Sequence, residues 1–247
     1  MKYLILLILS SIHLNSQSFD WEVDNRLPFN IPKTYIAGGL SYGLSNHNGN
    51  ININHQLINN AQFKLGEGNN FNIYLEAEHW YKEDLTFNII ASYSTMSDFF
   101  STNESYPIFN GSILNLKNNY EINNKYLSIH LASKYRIYDK LNLALSLAYN
   151  LEINSNHKFQ QNVISPNWYT FRNGEKSSVV FDEENFNSNN LIIISFNISY
   201  DIQLNYPTYI SPFISFSNNL NNTINNSDIN TYLINFGLKY YFGIKIN

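Results

Sequence analysis

The chain contains no cysteine. That excludes disulfides, a thiolate metal site, a cysteine nucleophile and the lipid-modified cysteine of a bacterial lipoprotein. Charge is also scarce: Asp, Glu, Lys and Arg make up 14% of the 247 residues, with a formal net charge of −4. Soluble domains usually carry about 25% charged residues. Without a basic excess there is no electrostatic footprint for nucleic acid. Past the N-terminus there is no apolar run long enough to cross a bilayer as a helix, and no convincing amphipathic helix of useful length. HExxH, GxSxG and P-loop patterns are absent.

What the chain has instead is aromatic side chains and alternation. Aromatics make up 16% of the residues, chiefly 19 Tyr and 17 Phe. In residues 141–153, LNLALSLAYNLEI, every odd position is Leu, Tyr or Ile and every even one is small or polar. That is a strand with one large apolar face. The same period of two recurs in 34–45, 71–81, 85–95, 124–137, 190–204 and 229–246, and less cleanly in 209–220, where Pro212 intervenes and both parities carry aromatics. These segments predict eight strands, each long enough for the ~9–11 residues a transmembrane strand needs. The mean hydropathy of −0.28 looks soluble, but alternating strands average to a weak signal.

The single continuous apolar run is N-terminal. MKYLILLILSSIHLNSQS has Lys2, then Tyr3 to Leu9, then small and polar residues. This is the layout of a secretory signal peptide, too short to span a bilayer as a helix. It predicts a signal over 1–18 cut near Ser16 to Ser18, a periplasmic segment over 19–33, and a barrel domain over 34–247.

The connections alternate in length. Residues 46–70, 96–123 and 154–189 are long, whereas 82–84, 138–140 and 205–208 are short; 221–228 is intermediate. Short periplasmic turns and long external loops characterise up-and-down outer-membrane barrels. Weak alternation in 49–65 and 111–122 leaves a count of ten strands open. A soluble lipocalin-type barrel would turn the Leu/Ile/Tyr face inward. An eight-stranded interior is just wide enough for side chains to fill, so five to seven large residues from each strand would overfill it. The opposite face, mostly Gly, Ala, Ser and Asn, fits inside and is too poor in charge to be a water-exposed surface. The expected fold is therefore an all-β, eight-stranded, antiparallel up-and-down transmembrane barrel, closed because lipid offers a free strand edge no hydrogen-bond partner.

In that orientation Glu76, Glu78, Lys134, Arg136, Asp201 and Lys245 face inward near the lower ends of the even strands. Three acids and three bases at one depth predict an ion-paired layer that plugs the lower half, since confined charges are tolerable when paired. Tyr81, Tyr135, Tyr138 and Phe242 suit a lower aromatic girdle, and Tyr42, Tyr93 and Tyr149 an upper one.

The last strand reads Asn235-Phe236-Gly237-Leu238-Lys239-Tyr240-Tyr241-Phe242. It resembles the C-terminal β-signal of bacterial outer-membrane proteins: a polar residue, then Gly, then alternating hydrophobic or aromatic positions. The chain after the signal peptide is similar to small OmpA-like or OmpX-like barrels, especially the Bacteroidota-type outer-membrane β-barrel family. The resemblance implies recognition by the barrel-assembly machinery. In two respects the chain departs from the pattern: it continues as Gly-Ile-Lys-Ile-Asn past the aromatic position, and no peptidoglycan-binding domain follows.

The available histidines offer no catalytic or metal-ligating pattern. His130 faces inward, His79 lies on the lipid-facing parity, and His47, His55 and His157 fall in loops without a carboxylate at ligand or triad spacing. Trp168, Tyr169, Phe171 and Arg172 concentrate in the longest loop, and such residues are over-represented at binding hot spots; their other reading is a cap on the barrel mouth or an extension of its hairpin. The expectation is a non-enzymatic, monomeric surface protein without a cofactor. Its surroundings would be outer-membrane lipid and lipopolysaccharide. A narrow pore and a rim-located lipid-modifying or proteolytic enzyme remain the alternatives.

Overall fold

The computed structural model describes residues 33–55, 58–82, 84–108, 111–138, 140–184, 189–205, 207–222 and 228–244. The signal and nearly all of the periplasmic segment expected over 1–33, together with Lys245, lie outside these residues. Ten strands follow one another: β1 Thr34–His55, β2 Ile58–Trp80, β3 Leu85–Pro107, β4 Ile113–Tyr138, β5 Leu141–Ser165, β6 Ser177–Glu184, β7 Leu191–Tyr200, β8 Ile202–Asn205, β9 Thr208–Asn219 and β10 Asp228–Ile244.

Eight of them close a ring of antiparallel ladders in the order β1-β2-β3-β4-β5-β7-β9-β10, with β10 pairing back onto β1. The fold is an all-β, up-and-down closed barrel. The other two strands are pieces of the sixth staff. β6 continues that line above β7 along β5, and β8 continues it below along β9. The break between β7 and β8 falls opposite Pro212, where the ladder passes from Ser199↔Phe213 to Ile202↔Ile210. Proline has no amide to donate, so strands carry it at such irregularities.

The faces point as the alternation requires. Leu40 is 57% exposed, Leu147 51% and Phe236 54%, while Ser41, Ser146 and Asn235 are buried inside. Small inner residues are a steric need: a Cβ on Gly43 would run into the Asn70 and Asn235 side chains. On β10 the outward apolar run extends from Tyr232 to Phe242. At ~3.3 Å per residue and ~40° tilt that is roughly 25 Å, the height of a bilayer-facing apolar band. Tyr81, Tyr135, Tyr138 and Phe242 at the lower edge, and Tyr42, Tyr93 and Tyr149 at the upper, all point outward.

The expected long loops are mostly strand. Residues 46–55 and 58–70 prolong β1 and β2, while 113–123 and 154–165 prolong β4 and β5. The weak alternation in 49–65 and 111–122 thus belongs to taller hairpins and adds no staves to the ring. Above the belt the wall becomes a collar of two sheets. β10, β1 and β2 stay paired, as do β3, β4, β5 and β6, but the β2–β3 ladder stops at Gly66↔Phe100. Their inner faces meet in an aromatic core of Ile51, Phe63, Phe100, Tyr120, Ile122, Phe159, Phe181 and Ile229. Phe63 from the first sheet stacks on Tyr120 at 5.9 Å and meets Phe159 edge-on at 6.1 Å.

Parity changes on the way into the collar. Ile153 is an extra residue between Lys125↔Asn154 and Tyr126↔Glu152. Inward positions on β5 are even up to Asn150 and odd from Ser155, so His157 and Phe159 turn inside. A bulge re-aims every side chain beyond it.

A charge at the middle of the belt tests its environment. Leu147→Lys should cost about 2–4 kcal/mol of folding free energy in lipid vesicles, whereas Leu147→Ile should cost less than about 1.5 kcal/mol. Denaturant titration of vesicle-folded protein measures both, and an unperturbed Leu147→Lys variant would contradict the lipid-facing assignment.

Candidate functional site

The lower lumen is the densest cluster of chemistry among the described residues. β2 brings Glu76 and Glu78 inward, β4 brings Lys134 and Arg136, and Asp201 enters from the break between β7 and β8. Lys134 Nζ pairs with Glu78 and lies 3.7 Å from Asp201 Oδ2, and Arg136 Nη2 approaches the same oxygen at 3.9 Å. Glu76 takes its cation from the final strand, where Lys239 Nζ reaches Oε2. The carboxylates are further met by donors. Tyr209 donates to Glu78 at 2.5 Å, Tyr241 to Glu76 at 3.1 Å, Ser211 to Asp201 at 2.8 Å, and Asn88 to both glutamates. Buried ions survive only when their remaining lone pairs and protons are satisfied in this way.

Aromatic rings complete the layer. Tyr209 and Tyr241 stack at 4.4 Å, and Tyr35 meets Tyr209 edge-on. Lys134 Nζ lies 5.2 Å from the Trp80 and Tyr241 ring centres, and the Arg136 guanidinium carbon lies 4.3 Å from Trp80. These are cation–π distances.

Lys239 is a cation the sequence expectation did not include, and Lys245, which it did, lies outside the described residues. Lys239 lies on the inward parity of β10, but higher than the expected layer. It reaches Glu76 because β1 has a glycine in between: a Cβ on Gly39 would come 2.8 Å from Lys239 Cγ and 2.7 Å from the Leu238 carbonyl oxygen. Cross-strand register, which strand parity alone does not supply, decides this pairing.

Farther up, the lumen alternates in character. The described residues leave a cavity of about 80 Å³ lined by Asn72, Tyr74, Ser92, Ser128, His130 and Ser195 among others. Ser92 Oγ and His130 Nε2 are 2.8 Å apart there. At ~10–15 Å³ per water it has room for a few waters, and an apolar layer of Met96, Tyr126, Ala148, Leu191, Ile193 and Leu233 closes in beside and above it.

Two histidines expected in loops are instead buried on strands. His47 on β1 places Nε2 2.7 Å from Asp98 Oδ1 and Nδ1 2.9 Å from Thr231 Oγ1, while Ser45 donates to the same Asp98 oxygen. The carboxylate missing from sequence spacing thus comes from β3, 51 residues away. The order Thr231–His47–Asp98 has the hydrogen-bond sequence of a nucleophile, base and orienting acid. All three are buried beneath the collar's aromatic core, where His47 packs on Phe100 at 5.2 Å. His157 on β5 lies 2.5 Å from the Tyr120 hydroxyl and 2.6 Å from Ser155 Oγ. Burial holds its pKa down, to about 4. His79 faces outward with Nδ1 2.9 Å from Thr34 Oγ1, and the His55 side chain lies outside the described residues. Among the described residues no three His, Asp or Glu side chains converge as a metal site.

Trp168, Tyr169, Phe171 and Arg172 lie together at the tip of the β5–β6 hairpin. The Trp168–Tyr169 and Tyr169–Phe171 ring centres are each 6.2 Å apart. Backbone bonds from Phe171 N to Glu175 O at 2.8 Å and Gly174 N to Phe171 O at 2.9 Å fix the turn. Trp168 is 67% exposed and Arg172 is exposed. The tip sits at the outer end of the hairpin, away from the interior cluster.

Two solution measurements test these clusters. Lys134→Met should destabilise by about 3–5 kcal/mol by leaving Glu78 and Asp201 short of a cation. Adding Glu78→Gln should restore part of that, as a urea-unfolding double-mutant cycle would read. For His157, the folded pKa lies below the unfolded value of ~6.5. Its stabilising effect is complete above pH ~6.5 and is lost as pH falls toward ~4. Protease resistance of the collar should decline across that window in the wild type more than in His157→Phe.

No protein-family model and no curated protein sequence matches the chain. Among solved structures it is similar to Ail, the attachment invasion locus protein of Yersinia pestis, at 12% identity over 85% of this chain and 99% of that one, TM-score 0.36. It is likewise similar to Neisserial surface protein A, at 8% identity over 85% and 97%, TM-score 0.37. The outer membrane protease OmpT from Escherichia coli shows 11% identity over 87% and 99%, TM-score 0.38. Likeness of this degree assigns no activity and no partner, and what the chain itself presents is an all-β closed barrel with an apolar outer belt.

Proposed function

We propose that the protein is a bacterial outer-membrane barrel, exported by a cleaved signal over residues 1–18, that serves as a non-catalytic surface platform. The barrel anchors it in lipid and lipopolysaccharide as a monomer. The collar and the hairpin tip with Trp168, Tyr169, Phe171 and Arg172 carry its outward contacts. The observation that carries this reading is the filled lumen. An ion-paired aromatic layer occupies the lower end and an aromatic core the upper, with a cavity of about 80 Å³ between them. A conducting pore needs a continuous aqueous path, which eight strands scarcely leave room for. Hydrolysis at Thr231–His47–Asp98 would need an entrance for substrate, and the collar core stands over those residues. The C-terminal segment from Asn235 to Phe242 forms the strand that closes the ring onto β1, which suits a signal read by the barrel-assembly machinery.

The working orientation and the closed lumen are tested together. Purified protein in planar bilayers should show no discrete conductance steps. Trypsin added to intact cells should cut after Arg172 and Lys176 while the belt stays protected. Regular conductance steps would favour the pore, and cleavage only after the outer membrane is permeabilised would reverse the orientation.

A further inference from the structure

The collar is split between β2 and β3. Below Gly66↔Phe100, β2 and β3 share a ladder; above it, among the described residues, each pairs only with its other neighbour, β2 with β1 as far as Ile58↔His55 and β3 with β4 as far as Pro107↔Ile113. Residues 58–65 and 101–107 are therefore two facing strand edges, with no mutual register among the described residues. Alternate residues on each edge turn an N–H and a C=O into the space between. The slot has a volume of about 480 Å³ and is lined by Gln62, Lys64, Leu65, Ser101, Thr102 and Glu104. Its base is firm, because Phe63 and Phe100 meet edge to face at 6.5 Å in the collar core behind it.

We infer that this slot is a docking site for an extended peptide segment of a partner protein, which would enter as an added strand between β2 and β3. Water can satisfy each edge, but a backbone entering between them would pair with both rows at once, and strand addition at an edge is a general mode of peptide recognition. An inserted strand takes about 4.8 Å on each side. The lining carries one charge of each sign, Lys64 on β2 and Glu104 on β3, where the Tyr106 hydroxyl also donates to Glu104, so the fitting segment has an acidic side chain at the position beside Lys64. Among the described lining residues Lys64 is the one cation, which is little for a phosphorylated headgroup. The inference rests on the reading of the collar as the outward face, but not on the hairpin tip.

The test uses full-length protein folded in detergent micelles and carrying Trp168→Ser, Tyr169→Ser, Phe171→Ser and Arg172→Ser, so that the tip cannot compete. Phage-displayed ten-residue peptides are selected on it. The strongest binder is then resynthesised with and without N-methyl groups at alternate backbone nitrogens. The expected result is slowed amide hydrogen exchange at 62–65 and 101–104 on adding the unmodified peptide. The N-methylated form should bind at least about tenfold more weakly, since it cannot donate to one edge. Lys64→Glu should weaken binders that carry an acidic residue. Failure to select any binder, protection elsewhere on the protein, or equal binding after N-methylation would overturn the inference. So would protection of the same amides by lipopolysaccharide micelles in place of peptide. None of these outcomes bears on conductance or on trypsin cleavage at the tip, so the slot and the surface-platform reading fail separately.

Discussion

Hydrocarbon accepts no hydrogen bonds, and the rest of this structure follows from that. A strand edge left open in the belt would strand a row of backbone donors and acceptors at several kcal/mol each. The ring must therefore close, and β10 pairs with β1 along its length and with β9 from Tyr232 to Phe242. Closure at eight strands then fixes a narrow lumen. A narrow lumen in turn demands small residues where walls approach, such as Gly39 and Gly43, and complete pairing where charge is enclosed.

The same constraint explains where the wall is allowed to open. The β2–β3 ladder ends above the apolar belt, and β6 likewise pairs only with β5 among the described residues. Outside lipid, water satisfies an exposed edge, so the collar can exist as two sheets held by side-chain packing. Its core of Phe63, Phe100, Tyr120, Phe159 and Phe181 does for the collar what ring closure does for the belt. The price is an unpaired edge, and strand edges are where proteins associate.

The lumen reads as a stack of alternating layers: ions and rings at the bottom, hydroxyls and amides around a small cavity, an apolar layer, the His47–Asp98 pair, and the collar core. In each polar layer the partners come from different strands. Glu76 is met from β3 and β10, Glu78 from β4 and β9, and His47 from β3 and β10. Such cross-strand bonds pin the register of a closed sheet, in which a one-residue slip would turn the whole apolar set inward.

The sequence by itself determined the strands of the belt and the apolar face each turns outward, while the count of eight over ten was settled only by the ring closure. Alternation at period two is local, and a volume argument settles which side is inside. The inward parity of Glu76, Glu78, Lys134, Arg136 and Asp201 was equally legible, as was the grouping of Trp168, Tyr169, Phe171 and Arg172 in one segment. What only the tertiary structure decided were the things that depend on register across strands. These are the pairing of Lys239 with Glu76 over Gly39, the meeting of His47 with Asp98, the parity switch at Ile153 that buries His157, and the gathering of the supposed loops into a two-sheet collar. Local pattern says which way a side chain points. Which residue lies opposite depends on strand stagger, bulges and closure, and those are properties of the whole ring.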